Sequence, residues 1–397
     1  MQLIKQINAL ADQYFNEVVD IRRHLHQHPE RSFQEHQTVQ YLEKILQKAG
    51  ISYEKPVDTG LTGLIKDHSH NKGIVALRAD IDALPIEEKN TVAYISQNKG
   101  VMHACGHDAH TASLIGALKI LKDLPDAYKG NVKFIFQPGE EKLPGGAKKM
   151  IEQGVLENPT PDVIIAQHVY PDLPAGKIGF RPGPYMASSD ELYITLHGSG
   201  GHGAMPQQTD DTVYLASQII QSLQQVVSRK APPTIPTVLS IGKIIGEGAT
   251  NVIPEEVYLE GTFRTMNEKW RDRAHELIRN IVKSHGSTTN IDCRVDIVKG
   301  YPVLMNDENM TRRCMDYATH MMGKENVELL DIRMTAEDFA YYTRNIPGVF
   351  YRLGVSNKKQ GIESALHTST FNIDEKALKT GMANLAWLAI SILNDYP

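Results

Sequence analysis

The feature that most constrains the fold is an alternation between short apolar, β-branched runs and segments with helical spacing. Apolar runs at 74–77, 132–136 and 163–166 are each closed by polar, proline or glycine residues. Between the first two, apolar residues recur at the spacing of one helix face, and Asp108 is expected to cap that helix. This order predicts an α/β fold whose sheet is mostly parallel and flanked by helices.

Two later segments extend this pattern. The run at 348–353 is expected to form one more strand of the sheet, and residues 377–393 a closing helix. Between the two halves of the pattern, alternating apolar residues at 192–196 predict a half-exposed strand. Helix, strand, strand, helix and strand patterns follow it up to residue 298. The resulting β-α-β-β-α-β order predicts a ferredoxin-like α+β domain.

Segments rich in proline and glycine mark the borders of this second pattern. Pro182-Gly183-Pro184 precedes it and Gly300-Tyr301-Pro302 follows it, so both are expected hinges. A chain of 397 residues is long for one core, which favours two domains. We therefore expect a catalytic domain built from residues 1–184 and 300–397. Residues 185–299 are expected to form an inserted lid or dimerisation domain.

Composition excludes several classes of protein. Forty-two basic against forty-seven acidic residues leave a net charge of −5, which does not favour binding to nucleic acid. The apolar stretches are shorter than the roughly 20 residues that a membrane span needs. The N-terminal residues have no long apolar segment of the kind found in signal peptides. Cys105, Cys293 and Cys314 are too few for a disulfide framework, so we expect a cytoplasmic protein.

Polar clusters lie next to the predicted strands. They are the residues at 80–82, 103–108, 137–141 and 167–168. Three of them directly follow a predicted strand and the fourth leads into a helix. Because loops after parallel strands gather at one edge of the sheet, these clusters are expected to converge on one site. His367, in a loop after the late strand, is a fifth candidate.

The chemistry of these clusters suits metal ions. Thiolate and imidazole groups suit zinc and similar metals, and carboxylates suit a two-metal cluster. Five ligands are more than one catalytic zinc uses, so a pair of metals accounts for them better. Spacing alone leaves open that these are ordinary surface residues.

The adjacent pair Glu140 and Glu141 is informative in a different way. Neighbouring side chains on an extended backbone diverge, so that one carboxylate can bind metal while the other faces the substrate. A carboxylate beside a metal site, but not bound to it, is what a general base requires. The alternative is an exposed acidic turn.

The ordered set of motifs resembles the metal-dependent N-acyl-amino-acid amidohydrolases. This is the hippurate-hydrolase and auxin-conjugate-hydrolase branch of the aminoacylase and carboxypeptidase superfamily, and the resemblance covers nearly the whole chain. The motifs that carry it are RRHLH at 22–26, PE at 29–30, RADIDALP at 78–85, HACGHD at 103–108, QPGEE at 137–141, GGH at 200–202, TNVIP at 250–254, GTFR at 261–264, EDF at 337–339 and LH at 366–367.

The resemblance implies a role for each of these polar residues. The implied metal ligands are Cys105, His107, Glu141, His168 and His367. Glu140 is implied to be the general base, and Asp82 the acid that orients a ligand imidazole. Asp80 and His110 are expected only to shape the loop or to hydrogen-bond nearby backbone. The histidine run at 24–28 is not expected to supply ligands.

Three further residues belong to the predicted insert. In the wider superfamily a histidine at the position of His202 reaches the partner subunit's active site and helps to stabilise the tetrahedral oxyanion. Asn251 and Arg264 resemble substrate-binding residues, since an arginine fork suits the carboxylate of an amino acid. A surface arginine is the alternative for Arg264.

The reaction predicted from this resemblance is hydrolysis of the linear amide bond of an N-acyl amino acid, of acetyl or benzoyl type. Two divalent ions are expected, and the Cys105 thiolate favours zinc, manganese, nickel or cobalt over magnesium or calcium. Apart from its small-molecule substrate, the expected partner is another copy of the chain in a homodimer or homotetramer. The alternatives are a dipeptidase or aminoacylase of the same superfamily and a catalytically silent metal-binding relative.

Overall fold

A computed structural model describes residues 1–65 and 73–395 of the chain. The helices are α1 Gln2–Gln27, α2 His36–Lys48, α3 His107–Asp123, α4 Gly146–Glu152, α5 Thr212–Gln225, α6 Glu268–Gly286, α7 Glu308–Met322, α8 Ala340–Thr343 and α9 Lys376–Asn394. The strands are β1 Glu54–Val57, β2 Gly60–Ile65, β3 Ile74–Asp80, β4 Asn131–Gln137, β5 Val163–Pro174, β6 Ile178–Phe180, β7 Gly183–Met186, β8 Asp190–His197, β9 Gly201–His202, β10 Thr237–Ile245, β11 Val252–Ile253, β12 Glu256–Thr265, β13 Asp292–Lys299, β14 Leu304–Asn306, β15 Val327–Leu329 and β16 Gly348–Ser356.

The chain divides into two compact units. Unit 1 comprises Met1–Gly183, Met305–Asp331 and Asp338–Pro397, and unit 2 comprises Pro184–Leu304 and Ile332–Glu337. The segment at 332–337 lies outside the insert predicted from the sequence. It joins unit 2 through backbone hydrogen bonds, in which the Arg333 N–H donates to the Tyr185 carbonyl and the Ala187 N–H donates to the Arg333 carbonyl.

Unit 1 is built on one sheet whose centre is parallel. Its strand order is β1-β2-β4-β3-β5-β16-β6-β15. Strand β3 pairs in parallel with β4 and β5, and β5 pairs in parallel with β16. Strand β2 is antiparallel to β4, and β6 is antiparallel to β16. The predicted mostly parallel sheet is therefore confirmed, and its four predicted strands are β3, β4, β5 and β16.

Burial explains why these strands read as continuous apolar runs. Every residue of β4 and of β16 is buried, as expected for strands covered on both faces of the sheet. Helix α3 is buried nearly all round because it packs against both α1 and α9. The approach is close at Gly116, where a Cβ atom would lie 2.7 Å from the Met382 sulfur and 3.0 Å from a Val18 methyl group.

Unit 2 contains the predicted ferredoxin-like arrangement. Its four-stranded sheet has the order β10-β12-β8-β13 with antiparallel pairing throughout. Buried and exposed side chains alternate along β8, and α5 and α6 contribute to a hydrophobic core separate from that of unit 1. The outer strands of this sheet are β10 and β13. The α+β insert predicted from the sequence pattern is therefore confirmed as a fold.

The expected helix cap at Asp108 is wrong. The N-cap residue of α3 is Gly106, which has φ +81°. Because glycine has no side chain, no side-chain hydrogen bond caps the first turn of this helix. The Asp108 carboxylate instead accepts hydrogen bonds from Arg22 and His26, because the buried end of α1 lies against it. Within the described ranges, no helix is long and apolar enough to cross a membrane.

Candidate active site

The polar clusters that the sequence places after strands lie at one edge of the unit 1 sheet. Strand β3 ends at Asp80, just before Asp82, and β4 ends at Gln137, just before the loop that carries Glu140 and Glu141. Residue 168 lies in β5, and residues 105 and 107 stand at the start of α3.

The structure brings all five expected ligands together. In each of three groups, the potential ligand atoms lie within 4.8 Å of one another. The groups are Cys105, His107 and His168; Cys105, Glu141 and His367; and His107, Glu140 and Glu141. Because Cys105 is shared by the first two groups, the cluster has the composition of two adjoining sites rather than one.

Two unusual backbone conformations shape this cluster. Gly106 has φ +81°, and a Cβ atom there would lie 2.5 Å from a Val169 methyl group, so only glycine fits between α3 and β5. His367 has φ +62°, which is rare for a residue with a side chain. The His367 N–H donates to the Ala104 carbonyl at 2.9 Å, and this bond ties the late loop to the residue before Cys105.

Asp82 connects three parts of the site. Its Oδ1 accepts from Nδ1 of His107 at 3.1 Å, which leaves Nε2 of that ring as the potential ligand atom. Its Oδ2 accepts from the Glu141 backbone N–H at 3.0 Å and from the Ser32 hydroxyl at 2.7 Å. One buried carboxylate thus sets the orientation of an imidazole and the position of the loop with the paired glutamates.

His168 and His110 are held as neutral imidazoles. Nδ1 of His168 donates to the Val169 carbonyl at 2.8 Å, so its Nε2 lone pair faces Sγ of Cys105 at 3.4 Å. In His110, Nδ1 donates to Asp80 at 2.5 Å while Nε2 accepts from the Val169 N–H at 2.8 Å. Burial lowers the pKa of both rings. Asp80 and His110 therefore hold the backbone next to His168.

The electrostatics of the cluster favour a bound cation. Burial works against protonation of His107, but the charges of Asp80, Asp82 and Glu141 outweigh it and raise the pKa of His107 to about 10. Burial and the nearby glutamates raise the pKa of the Cys105 thiol well above its usual value. A metal cation would reverse both effects.

Two potential ligand atoms are left without a hydrogen bond. Among the described residues, the buried Nε2 of His107 and Oε1 of Glu141 have no hydrogen-bond partner, and such orphaned atoms need an explanation. Thiol, imidazole and carboxylate donors that converge on one place fit divalent metal ions.

The paired glutamates differ in their surroundings. Glu140 is 6% exposed, and its Oε1 accepts from the Asp338 backbone N–H at 3.4 Å. Glu141 places Oε1 3.2 Å from Nε2 of His367, a ring whose side chain is 52% exposed. Of the two, Glu140 is the carboxylate held by a neutral backbone donor, whereas Glu141 faces two potential metal ligands.

The three candidate residues of the insert lie in unit 2. His202 is exposed on β9, which pairs with β11 next to Asn251, and the Gly203 N–H donates to the Asn251 carbonyl at 2.8 Å. These two residues are therefore neighbours. Arg264 lies on β12, where one guanidinium N–H donates to the Met334 carbonyl at 3.3 Å and burial lowers its pKa.

Several buried polar residues of unit 1 were not singled out in the sequence. His26 of the 24–28 run is fully buried and lies between Asp108 at 2.8 Å and Glu88 at 3.1 Å. Glu35 accepts from the Gly139 backbone N–H at 2.8 Å, directly beside Glu140. Asp338 lies in the EDF motif, and that motif was the only signal in the sequence that could have identified it. A buried aspartate does not produce a periodic pattern of apolar residues.

Comparison with known proteins gives consistent matches. The sequence profile of Peptidase family M20/M25/M40 matches residues 76–390. The chain is 41% identical over 317 residues to the N-acyl-L-amino acid amidohydrolase of Geobacillus stearothermophilus, covering 78% of this chain and 83% of that protein. It is 37% identical over 390 residues to the IAA-amino acid hydrolase ILR1-like 4 of Arabidopsis thaliana, covering 97% and 88%.

A solved structure matches over the same length. It is the crystal structure of the YXEP protein of Bacillus subtilis, described as a dinuclear metal binding peptidase from the M20 family. The TM-score is 0.81 at 32% identity, covering 96% of this chain and 99% of that one.

Proposed function

The chain belongs to peptidase family M20/M25/M40, a family of hydrolases, and from this premise we propose that it cleaves the amide bond of N-acyl amino acids. The observation that carries the proposal is the position of Glu140 beside His107 and Glu141, two of the five potential ligands. The relative from Geobacillus stearothermophilus, named for this activity, supports the substrate class. The acyl group is proposed to be of acetyl or benzoyl type.

The proposed ligands are the five side chains that the structure brings together, and they fit two divalent ions. We propose zinc, manganese, nickel or cobalt, because a thiolate ligand suits these metals better than magnesium or calcium. When bound, such ions supply Lewis acidity, which activates water and polarises the acyl carbonyl. Asp82 keeps Nε2 of His107 available by accepting a hydrogen bond from Nδ1–H, which holds the ring proton on Nδ1.

Glu140 is proposed to move the proton. Its carboxylate takes a proton from the attacking water, and the resulting hydroxide adds to the acyl carbon. As the C–N bond breaks, Glu140 returns that proton to the departing nitrogen, so that the products are a carboxylic acid and a free amine. The backbone N–H of Asp338 holds one oxygen of Glu140 during both transfers.

Residues of unit 2 are proposed to complete the site. His202 would stabilise the oxyanion that develops on the acyl carbonyl, acting from a second copy of the chain, and Asn251 and Arg264 would bind the substrate. The exposed outer strands β10 and β13 are proposed as the dimer contact. Light scattering at high protein concentration tests this assembly, and a species that is only monomeric would remove the role of His202 in the partner's site.

Release of free amine tests the proposed function directly. The substrates are benzoyl-glycine, N-acetyl amino acids, N-acetyl-diaminopimelate and glycyl or alanyl dipeptides, each assayed with zinc, manganese, nickel or cobalt and with a chelator. Metal-dependent release from the N-acyl compounds is expected. Release from the dipeptides alone would make the protein a dipeptidase. No release by protein shown to hold two metal ions would refute the proposal and indicate a silent relative.

A further inference from the structure

We propose that Asp338 is a positioning residue, which holds the loop of the general base at both ends and orients the Glu140 carboxylate. The inference rests on the proposed function, because Glu140 is the base only in that reaction. Asp338 lies far from this loop in the sequence, 201 residues after Gln137. Its action on the loop is carried by contacts within unit 1.

The Asp338 carboxylate is fully buried and surrounded by donors. It accepts from Nη2 of Arg78 at 2.9 Å and from Nε2 of Gln137 at 2.9 and 2.8 Å. It also accepts from the backbone N–H of Ala147 at 2.9 Å. Hydrogen bonds to an ionised carboxylate are stronger than those between neutral groups. A buried charge is stable only when such hydrogen bonds, in good geometry, offset the free energy lost on removing it from water.

Two of these donors lie at opposite ends of one loop. Gln137 is the last residue of β4, and Ala147 is the second residue of α4. The loop between them, residues 138–146, carries both Glu140 and Glu141. A single side chain therefore connects the start and the end of the segment that carries the proposed base and a proposed ligand.

The loop itself is tightly closed. The Gly146 N–H donates to the Gly139 carbonyl at 3.0 Å, and a Cβ atom at Gly146 would lie only 1.6 Å from the Pro138 carbonyl oxygen. Glu35 holds the same segment from another side through the Gly139 N–H. Because the loop is closed in this way, we expect it to move as one rigid segment when its ends move. A change in the contacts at its ends therefore displaces Glu140 as well.

Asp338 also touches the base directly through its main chain. Its backbone N–H donates to Oε1 of Glu140 at 3.4 Å, while its side chain holds the loop. Arg78 braces this arrangement, since it also donates to Gln137 at 2.9 Å and to Asp80 at 2.7 Å. The position of the Glu140 carboxylate thus depends on where Asp338 is held.

The substitution Asp338→Asn alters the side-chain contacts of residue 338 with the loop without removing the backbone N–H that contacts Glu140. Asparagine keeps the shape and the backbone N–H, but it loses the charge and one acceptor oxygen. Its NH2 group must then face either the Arg78 guanidinium or the Ala147 N–H, which are both donors, so one of these hydrogen bonds is lost. A displacement of about 1 Å at a reacting group can lower turnover about 10²-fold. We expect kcat to fall 10- to 100-fold, with KM within threefold and the metal content unchanged.

A double-mutant cycle distinguishes positioning from a general structural effect. If Asp338 acts through Glu140, Asp338→Asn should lower the residual kcat of Glu140→Gln by less than twofold. Asp162→Asn is the matched control, because Asp162 accepts the Ile74 N–H at the other end of β3. We expect its kcat to stay within twofold of that of the unaltered chain.

Hydrogen exchange provides a readout that needs no turnover. In metal-free protein, Asp338→Asn should raise exchange in peptides that cover 138–147 and leave those of α9 unchanged. If the variant does not fold, Gln137→Met releases one end of the loop and should lower kcat about 10-fold with faster exchange in the same peptides.

Two results would overturn the proposal: equal loss of kcat in both backgrounds of the cycle, or unchanged exchange across 138–147. Failure of the proposed function has a different signature, namely an unaltered enzyme that releases no amine from any substrate. Exchange would then still decide whether Asp338 holds the loop, while the catalytic part of the proposal would fall with the function.

Discussion

At the scale of single residues, adjacent side chains of one type have different surroundings. Glu140 and Glu141 are neighbours in sequence, yet one carboxylate meets a backbone N–H and the other meets His367. Their distinct proposed roles follow from these contacts, because a base must hold and release a proton whereas a ligand must remain ionised.

Glu140→Gln should remove the base and keep the metal site. Glutamine is nearly isosteric but cannot accept the proton of water, so we expect kcat to fall about 10²- to 10⁴-fold. Metal analysis of the purified variant should show the same content as the unaltered protein. Glu152→Gln, at an exposed position of α4, is the control and should keep full activity. A fully active Glu140→Gln variant would refute the assignment of the base.

Glu35→Gln should change how stability depends on pH. Burial, followed by the charge of Asp82, raises the pKa of Glu35 from 4.5 to about 7. The folded state therefore holds this proton more tightly than the unfolded state, and stability falls as the pH rises from about 4.5 to 7. Glutamine cannot ionise, yet it keeps an oxygen for the N–H groups of Phe33 and Gly139.

The measurement is urea unfolding of chelator-treated protein at pH 5 and pH 8. At pH 8 the variant should be more stable by about 2–3 kcal/mol, and at pH 5 the difference should fall below about 1 kcal/mol. The exposed Glu152→Gln variant should show no such pH dependence. A stability difference of equal size at both pH values would contradict the assigned cause.

At the scale of elements, the site depends on helices that pack closely beside the sheet. Helix α3 begins with the proposed ligand His107 and packs against both α1 and α9, so this packing sets where the first turn of the helix lies. The buried network of Arg22, His26 and Asp108 joins the end of α1 to the start of α3. Helix α3 is therefore positioned in two ways, by close packing along its middle and by polar contacts at its first turn.

Gly116→Ala should destabilise this packing. The added methyl group would lie 2.7 Å from the Met382 sulfur, closer than van der Waals contact, and overpacking of a core costs about 1–3 kcal/mol. Chemical denaturation should show a loss of this size. Gly242→Ala on β10 is the control, since nothing lies within 4 Å of the added atom. Equal stability of the two variants would show that α9 moves aside without cost.

Much of the arrangement of elements was predictable from the sequence. The central strands and the ferredoxin-like order follow from local periodicity, which each segment carries by itself. Helices α2 and α7 and the hairpin of β1 and β2 were not predicted. The wrong cap at Asp108 has a tertiary cause, since Arg22 lies 86 residues earlier in the chain and binds the side chain expected to cap the helix.

At the scale of the whole molecule, the chain consists of two units with separate hydrophobic cores. The resemblance inferred from the ordered motifs is confirmed by the family match, and with it the class of enzyme, a hydrolase of amide bonds. The individual site residues stay predictions, as do the metal identity and the assembly.

Removal of metal should destabilise unit 1 alone. A ligand at 100 times its dissociation constant stabilises a protein by about 2.7 kcal/mol, so chelation should lower the Tm of unit 1 by about 5 °C or more. Hydrogen exchange should rise in peptides covering 103–108 and 137–146, while α6 of unit 2 serves as the internal control. Added manganese or zinc should restore both. Identical melting with and without chelator would contradict a metal site in unit 1.

The sequence by itself determined the class of fold, the order of the elements, the family and the residue types at the site. These depend on periodicity and on motifs, in which the informative residues are near neighbours. Only the tertiary structure decided the roles of Asp338, Glu35 and His26. Their partners in other segments of the chain lie 62 to 260 residues away, and nothing local marks a buried polar side chain until the groups that satisfy it are in place. The neutral form of His110 has the same origin, since it requires the Val169 N–H that β5 supplies.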